Sequence, residues 1–237
     1  MKMKVKRITT VIALLAISLS TLTYSQVNNK PPLLCSGGII TGYNRGYGTQ
    51  TNFTVRGFST EFPFEVRFGI GYTILNPGNA SDARRIFINN ATNGIPEKKG
   101  GSFDCRFDFL LPKSIFRVNH SYIVFGPRFS TFKGNFKYIG GNEDFDITSH
   151  QWGIGGAIEH HFRMISNLSL IIHYGLDHYF PSTLTGHDTS YSPDNDNVNP
   201  TNDNQNEDHP FTYKDADKAI KQPMFMPRAM IGVSFTL

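Results

Sequence analysis

The chain of 237 residues has little thiol chemistry, no lasting charge of one sign and, beyond its first 25 positions, no long apolar run. Its two cysteines, Cys35 and Cys105, allow at most one bridge. An exported chain permits a disulfide. Cys105, however, falls in mid-strand on an apolar face, where a buried or lipid-facing thiol fits as well, and no bond is assigned. The net charge of +4 comes entirely from Lys2, Lys4, Lys6 and Arg7, so the rest of the chain is balanced. No basic field is left to attract phosphates, which excludes nucleic acid as a partner. Nowhere else do about 18 apolar residues run together, which excludes membrane-spanning helices but not strands.

Residues 1–25 have the three parts of an export signal. MKMKVKR is a basic start, Ile8 to Leu22 is an apolar stretch too short and too rich in Ser and Thr to anchor, and Thr23-Tyr24-Ser25 puts small residues before a cut at Gln26. Cys35 lies too far past the apolar stretch for a lipoprotein signal. The expected organisation is therefore a signal peptide over 1–25, a periplasmic lead-in over 26–35 and one domain over 36–237.

What the chain does have is 20 Phe, 10 Tyr and 22 Gly, a balance suited to an all-β protein. Residues alternate between apolar and polar in segment after segment, and period two is strand geometry. The pattern predicts strands over 37–48, 53–60, 64–75, 102–111, 122–132, 151–162, 168–180 and from Phe225 to the end. In the fourth, Phe103, Cys105, Phe107, Phe109 and Leu111 face one way and Asp104, Arg106 and Asp108 the other. Full charges alternating with phenylalanines do not suit a sandwich core, but they suit a barrel with lipid outside and polar groups within. Pro127 removes a ladder donor and predicts a bulge or a strand end.

The connections sort by parity. The first, third, fifth and seventh include the long loops 76–101, 133–149 and 181–221, and the others are short. Short periplasmic turns and longer external loops are what an outer-membrane barrel requires. The predicted fold is an all-β, eight-stranded, antiparallel up-and-down transmembrane β-barrel in the outer membrane of a Gram-negative bacterium.

Phe68-Gly-Ile-Gly-Tyr72, Trp152-Gly-Ile-Gly-Gly-Ala-Ile-Glu159 and Gly232-Val-Ser-Phe235-Thr-Leu237 carry a resemblance over residues 36–237. The chain resembles the small eight-stranded outer-membrane barrels of the OmpA/OmpX type, and the stand-alone barrel domains of Bacteroidetes-like bacteria. The resemblance implies that the barrel-assembly machinery reads Gly232, Phe235 and Leu237 as a terminal Gly-x-x-Φ-x-Φ signal. Met230 stands where that signal usually has a polar residue, and the chain ends in Leu rather than Phe.

By period, the inward faces collect Glu65, Arg67, Asp104, Arg106, Asp108, Arg128, Glu159, His173, Asp177 and Arg228. Eight strands enclose little more than their own side chains, so these groups are expected to interlock as a plug; the alternative is a narrow porin-like channel. A lipid-modifying enzyme is a third reading, from His160, His161, His173 and His178 beside Glu159 and Asp177. No His-x-Ser pair supports it, because a hydrolase needs its nucleophile within reach of a base. From Asp194 the last loop alternates oxygen ligands, yet Asn199 and Gln205 occupy the glycine and glutamate positions of a calcium loop. The sequence therefore predicts no catalysis, cofactor or metal. It predicts a structural or surface role, with outer-membrane lipids around the wall and external partners met through the three long loops.

Overall fold

The computed structural model describes residues 33–59, 61–88, 94–141, 143–187, 189–194 and 211–237. The proposed signal peptide, the lead-in up to residue 32 and the Asn/Asp-rich stretch 195–210 lie outside the described residues.

Eight strands form the wall: β1 (Leu34–Asn44), β2 (Tyr47–Arg56), β3 (Glu65–Leu75), β4 (Ile95–Pro112), β5 (Ser121–Ile139), β6 (Asp144–Arg163), β7 (Leu168–Tyr179) and, after two short strands, β10 (Phe225–Thr236). Each pairs antiparallel with the next, and β10 lies between β7 and β1, so the sheet closes on itself. In the closing pair Ile39 faces Val233 and Ile40 faces Gly232. Closure removes the edges of the barrel proper, above which β4 (95–99) and β6 (144–152) extend past their β3 and β7 partners.

The alternation seen in sequence sets the two faces. Ile39, Phe68, Ile70, Tyr72, Trp152 and Ile154 are exposed on the outside, while Arg67, Asp104, Arg106, Arg128, Glu159 and Asp177 are buried inside. A soluble protein buries the first kind and exposes the second. No helix among the described residues is long and apolar enough to cross a membrane, which says nothing about strands.

Several predicted boundaries are corrected. The first strand ends at Asn44, and the chain turns at Arg45 and Gly46 instead of running on to Gly48. Arg45 takes a φ of 55°, and a Cβ on Gly46 would collide with the Ile74 carbonyl oxygen. The second strand therefore starts at Tyr47, not Phe53. Pro127 makes neither bulge nor strand end. β5 passes straight through it, and Arg106–Arg128 and Phe109–Phe125 keep one register on either side of the interruption.

The largest correction concerns the loops. Residues 133–149 are not a loop: β5 continues to Ile139 and β6 starts at Asp144, paired throughout. Residues 95–101 likewise belong to β4. Only the links after β3 and β7 are long, since the β1–β2 and β5–β6 connections are tight.

These two long links build a cap with two helices, α1 (Ala80–Phe87) and α2 (Tyr213–Ala219), and a hairpin, β8 (Leu184–Thr185) with β9 (Ser190–Tyr191). The Asn79 side chain caps α1, accepting from the Ser81 N–H at 3.0 Å. Thr212 opens α2, donating its N–H to the Asp215 carboxylate at 2.9 Å. The links are stitched together by a bridge between Gly78 and Ile220, with Asn79 N–H donating to the Ala219 oxygen and Lys221 N–H to that of Pro77.

Candidate functional site: a charged interior beneath an apolar cap

Two carboxylates organise the interior. Glu159 of β6 is fully buried and accepts both ends of the Arg67 guanidinium, at 2.7 and 2.8 Å. His161 Nε2 at 2.6 Å and His173 Nδ1 at 2.9 Å donate to the same carboxylate. Arg67 also donates from Nε to the Thr54 hydroxyl at 2.9 Å. Each Glu159 oxygen thus receives two charge-assisted or imidazole hydrogen bonds, which is what an ionised group out of water requires.

Asp177 of β7 is the second centre. Arg128 Nε donates to it at 2.9 Å and Arg106 Nη2 at 3.2 Å, while Arg228 lies 3.5 Å away. Asp104 holds Arg106 at 2.6 Å, and Asp108 lies 2.6 Å from Arg128 as an ion pair. Arg228 donates in turn to the Gln50 side-chain oxygen, and the Gln50 amide donates to Asn52. Four guanidinium groups and four carboxylates therefore neutralise one another across strands distant in sequence.

Glycines make room for them. A Cβ on Gly155 would strike Asp177 and Arg128, and one on Gly71 would come within 2.9 Å of Asp104. The inward glycines of β3 and β6 are spaces for neighbouring charged side chains.

Nine of the ten inward residues named from sequence fall within these two clusters. Glu65 stands apart at the short-turn end, hydrogen-bonded to Tyr122 and 3.9 Å from Arg56. Gly232 packs against β1 so closely that a Cβ would strike the Ile39 carbonyl oxygen, and Phe235 and Leu237 are exposed on the outer face.

One inward step along a strand leads from this network into hydrocarbon. Asp177 gives way to Tyr179, Arg228 to Met226, Ser130 to Phe132 and Thr73 to Leu75. These apolar groups are the floor of a core shared with Phe87, Phe136, Phe145, Ile147, Tyr191 and Ile220. Phe87 and Tyr191 meet edge to face at 5.3 Å, and Tyr191 donates to the Ile86 oxygen at 2.9 Å. Burial pushes the Tyr213 hydroxyl up to about 12, and Gln222 donates to it at 2.7 Å. The cap's apolar core covers the loop-side mouth of the barrel.

Sequence reasoning missed the cap because its residues are spread over four segments with no shared motif. It also missed one nucleophile–base contact. Ser121 and His160 are cross-strand partners, with Oγ 2.7 Å from Nδ1, and His160 Nε2 lies 3.0 Å from the Tyr174 hydroxyl. Ser121 is 1 % exposed and its hydroxyl donates to the Val118 oxygen at 2.8 Å. Buried and bonded on both sides, Ser121 ties the β4–β5 turn to β6. His178 packs at 4.6 Å against Phe225 on the outer face. Cys35 and Cys105 are not bonded to each other.

No protein-family model and no curated protein matches the chain. Among solved structures, a major outer membrane protein from Thermus thermophilus shares the fold. The similarity covers 87 % of this chain and all of that one, at 18 % identity and a TM-score of 0.68. CarO of Acinetobacter baumannii aligns over 89 % of this chain and all of that one, at 11 % identity and a TM-score of 0.38, too loose a likeness to carry an argument. The chain has the fold of an outer-membrane β-barrel.

Proposed function

We propose that the protein is an integral barrel of a Gram-negative outer membrane, closed to solutes and without catalytic activity. Its short turns face the periplasm and its cap faces outward. The observation that carries this reading is the reversal of polarity across the wall: large apolar side chains outside and paired charges inside. Burying the outer face in lipid removes it from water, at roughly 25 cal/mol per Å² of apolar area. The interior's carboxylates and guanidinium groups are matched in ion pairs, as buried charges require.

The closed lumen is favoured over a narrow channel by two successive barriers, the charge network and the apolar cap core. The cap is the surface offered to external partners, in place of three separate loops. Export by the N-terminal segment, and recognition of Gly232, Phe235 and Leu237 by the assembly machinery, complete the proposed route.

Fractionation of cells tests the location. The protein is expected in the outer membrane as a band whose gel mobility shifts on boiling. Recovery from the soluble periplasm would overturn the reading.

A further inference from the structure

The end of the barrel opposite the cap is not packed shut. A cavity of about 260 Å³ opens there, between the first residues of β1, β3 and β7 and the last residues of β2, β6 and β10. Its wall holds the guanidinium groups of Arg56, Arg67 and Arg163 and the imidazoles of His120 and His161, against one carboxylate, that of Glu65. Arg67 is spent on Glu159 beneath, and Arg56 lies 3.9 Å from Glu65. Arg163 is exposed and, among the described residues, donates only to the Ser166 carbonyl oxygen, at 3.2 Å. The charge matching of the deeper interior stops here and leaves a positive remainder.

An unused donor also borders the space, and its orientation follows from the groups behind it. Arg228 can only donate, so Gln50 must turn its oxygen to Arg228 and its amide nitrogen to Asn52. Asn52 therefore accepts with Oδ1 and keeps Nδ2 free. Asn52 is 8 % exposed, lines the cavity, and its Nδ2 has no partner among the described residues. A buried donor without a partner calls for an acceptor from outside. The hydroxyls of Ser36, Thr54, Ser234 and Thr236 complete a donor-rich wall.

We propose that this vestibule is a binding site for a small organic oxyanion, a carboxylate or a phosphate on a compact polar body. The volume lies just below that of drug-sized pockets, which sets the size of the guest. The guest enters from the short-turn end and goes no further, because the Arg67–Glu159 pair forms the floor. The site thus makes the barrel a receptor rather than a conduit. It depends on the closed barrel alone and not on which membrane holds it.

Calorimetric titration of the full chain, refolded in detergent micelles, tests the site; a mobility shift on boiling verifies folding. Succinate and glycerol phosphate are the probes and glycerol is the neutral control. One or both anions are expected to bind saturably and glycerol not at all. The preferred anion identifies the group the site takes. Arg163→Ala removes an exposed cation without endangering the fold, and is expected to weaken binding about tenfold or more. Ser234→Phe fills the cavity and is expected to abolish it. Failure of both anions to bind the folded protein, or binding that both variants leave unchanged, would overturn the proposal.

Discussion

Along β6, Trp152 and Thr148 both point outward and Gln151 and Ile147 both point inward, yet within four residues the two faces exchange character. Below this level the outside is apolar and the inside charged. Above it, Lys133, Asn135 and Asp146 line the outside, while Phe132, Phe136, Phe145 and Ile147 fill the inside. The strands β5 and β6 run through both regions without a break. Period two therefore says only that the chain is extended; which face is apolar says what surrounds it. On the proposed reading the exchange marks where lipid gives way to water, and the cap above it buries its apolar groups as a soluble protein does.

The largest expected effect comes from breaking the lower region. Asp177→Ala leaves the buried Arg106, Arg128 and Arg228 sharing too few carboxylates. Removing one partner of a buried ion pair costs about 3–5 kcal/mol. Urea titration followed by gel mobility is expected to show loss of the folded band at lower urea, or no folded band at all.

The cap answers to volume instead of charge. Phe87 is fully buried against Tyr191, and truncation of such a ring costs about 3 kcal/mol or more. Phe87→Ala is expected to open the cap to limited proteolysis while the barrel still shifts on boiling. Simultaneous loss of both would show that the two regions do not differ as described.

A third test moves a lysine across the boundary. Ile70→Lys, in the exposed apolar face, is expected to cost about 2–4 kcal/mol in a bilayer, whereas Asn135→Lys above it costs about nothing. Equal effects in lipid-vesicle unfolding titrations would misplace the boundary.

The smallest effect is at the N-terminus of α2. Hydrogen bonds from Thr212 hold the Asp215 carboxyl below the usual carboxylate range. A depressed folded-state value means that this stabilisation is full above the ordinary carboxylate pKa and is lost as pH falls through the lower one. Thr212→Ala removes the Oγ contact to Asp215, leaves the backbone one, and is expected to cost about 1 kcal/mol or less at neutral pH. Hydrogen exchange in α2 is expected to report it, with the difference fading in acid.

What the sequence disclosed follows the same division. In β3 and β4 the charges and phenylalanines sort cleanly, so faces, inward residues and fold were legible. In β1 and β2 both faces carry Thr and Gly, and the turn at Arg45-Gly46 passed unnoticed within an apparent strand. Residues 133–149 read as a loop because Lys133, Lys137, Asp144 and Asp146 suggest solvent; they do face it, but from a strand whose other face is Phe136, Tyr138, Phe145 and Ile147. The cap depends on contacts such as Tyr138 with Ala80 and Tyr191 with Ile86, which join residues far apart in the chain. The Ser121–His160 contact arises from neighbouring strands, and the Asn52 donor is oriented through Gln50 by Arg228 two strands away, where local spacing carries no signal.

On the proposed reading, two differently built regions close one barrel. Single-channel recording of the purified full chain in planar bilayers tests it most directly. The structure predicts a silent bilayer, with no steady unit conductance. A stable, well-defined conductance in the unmodified protein would contradict it.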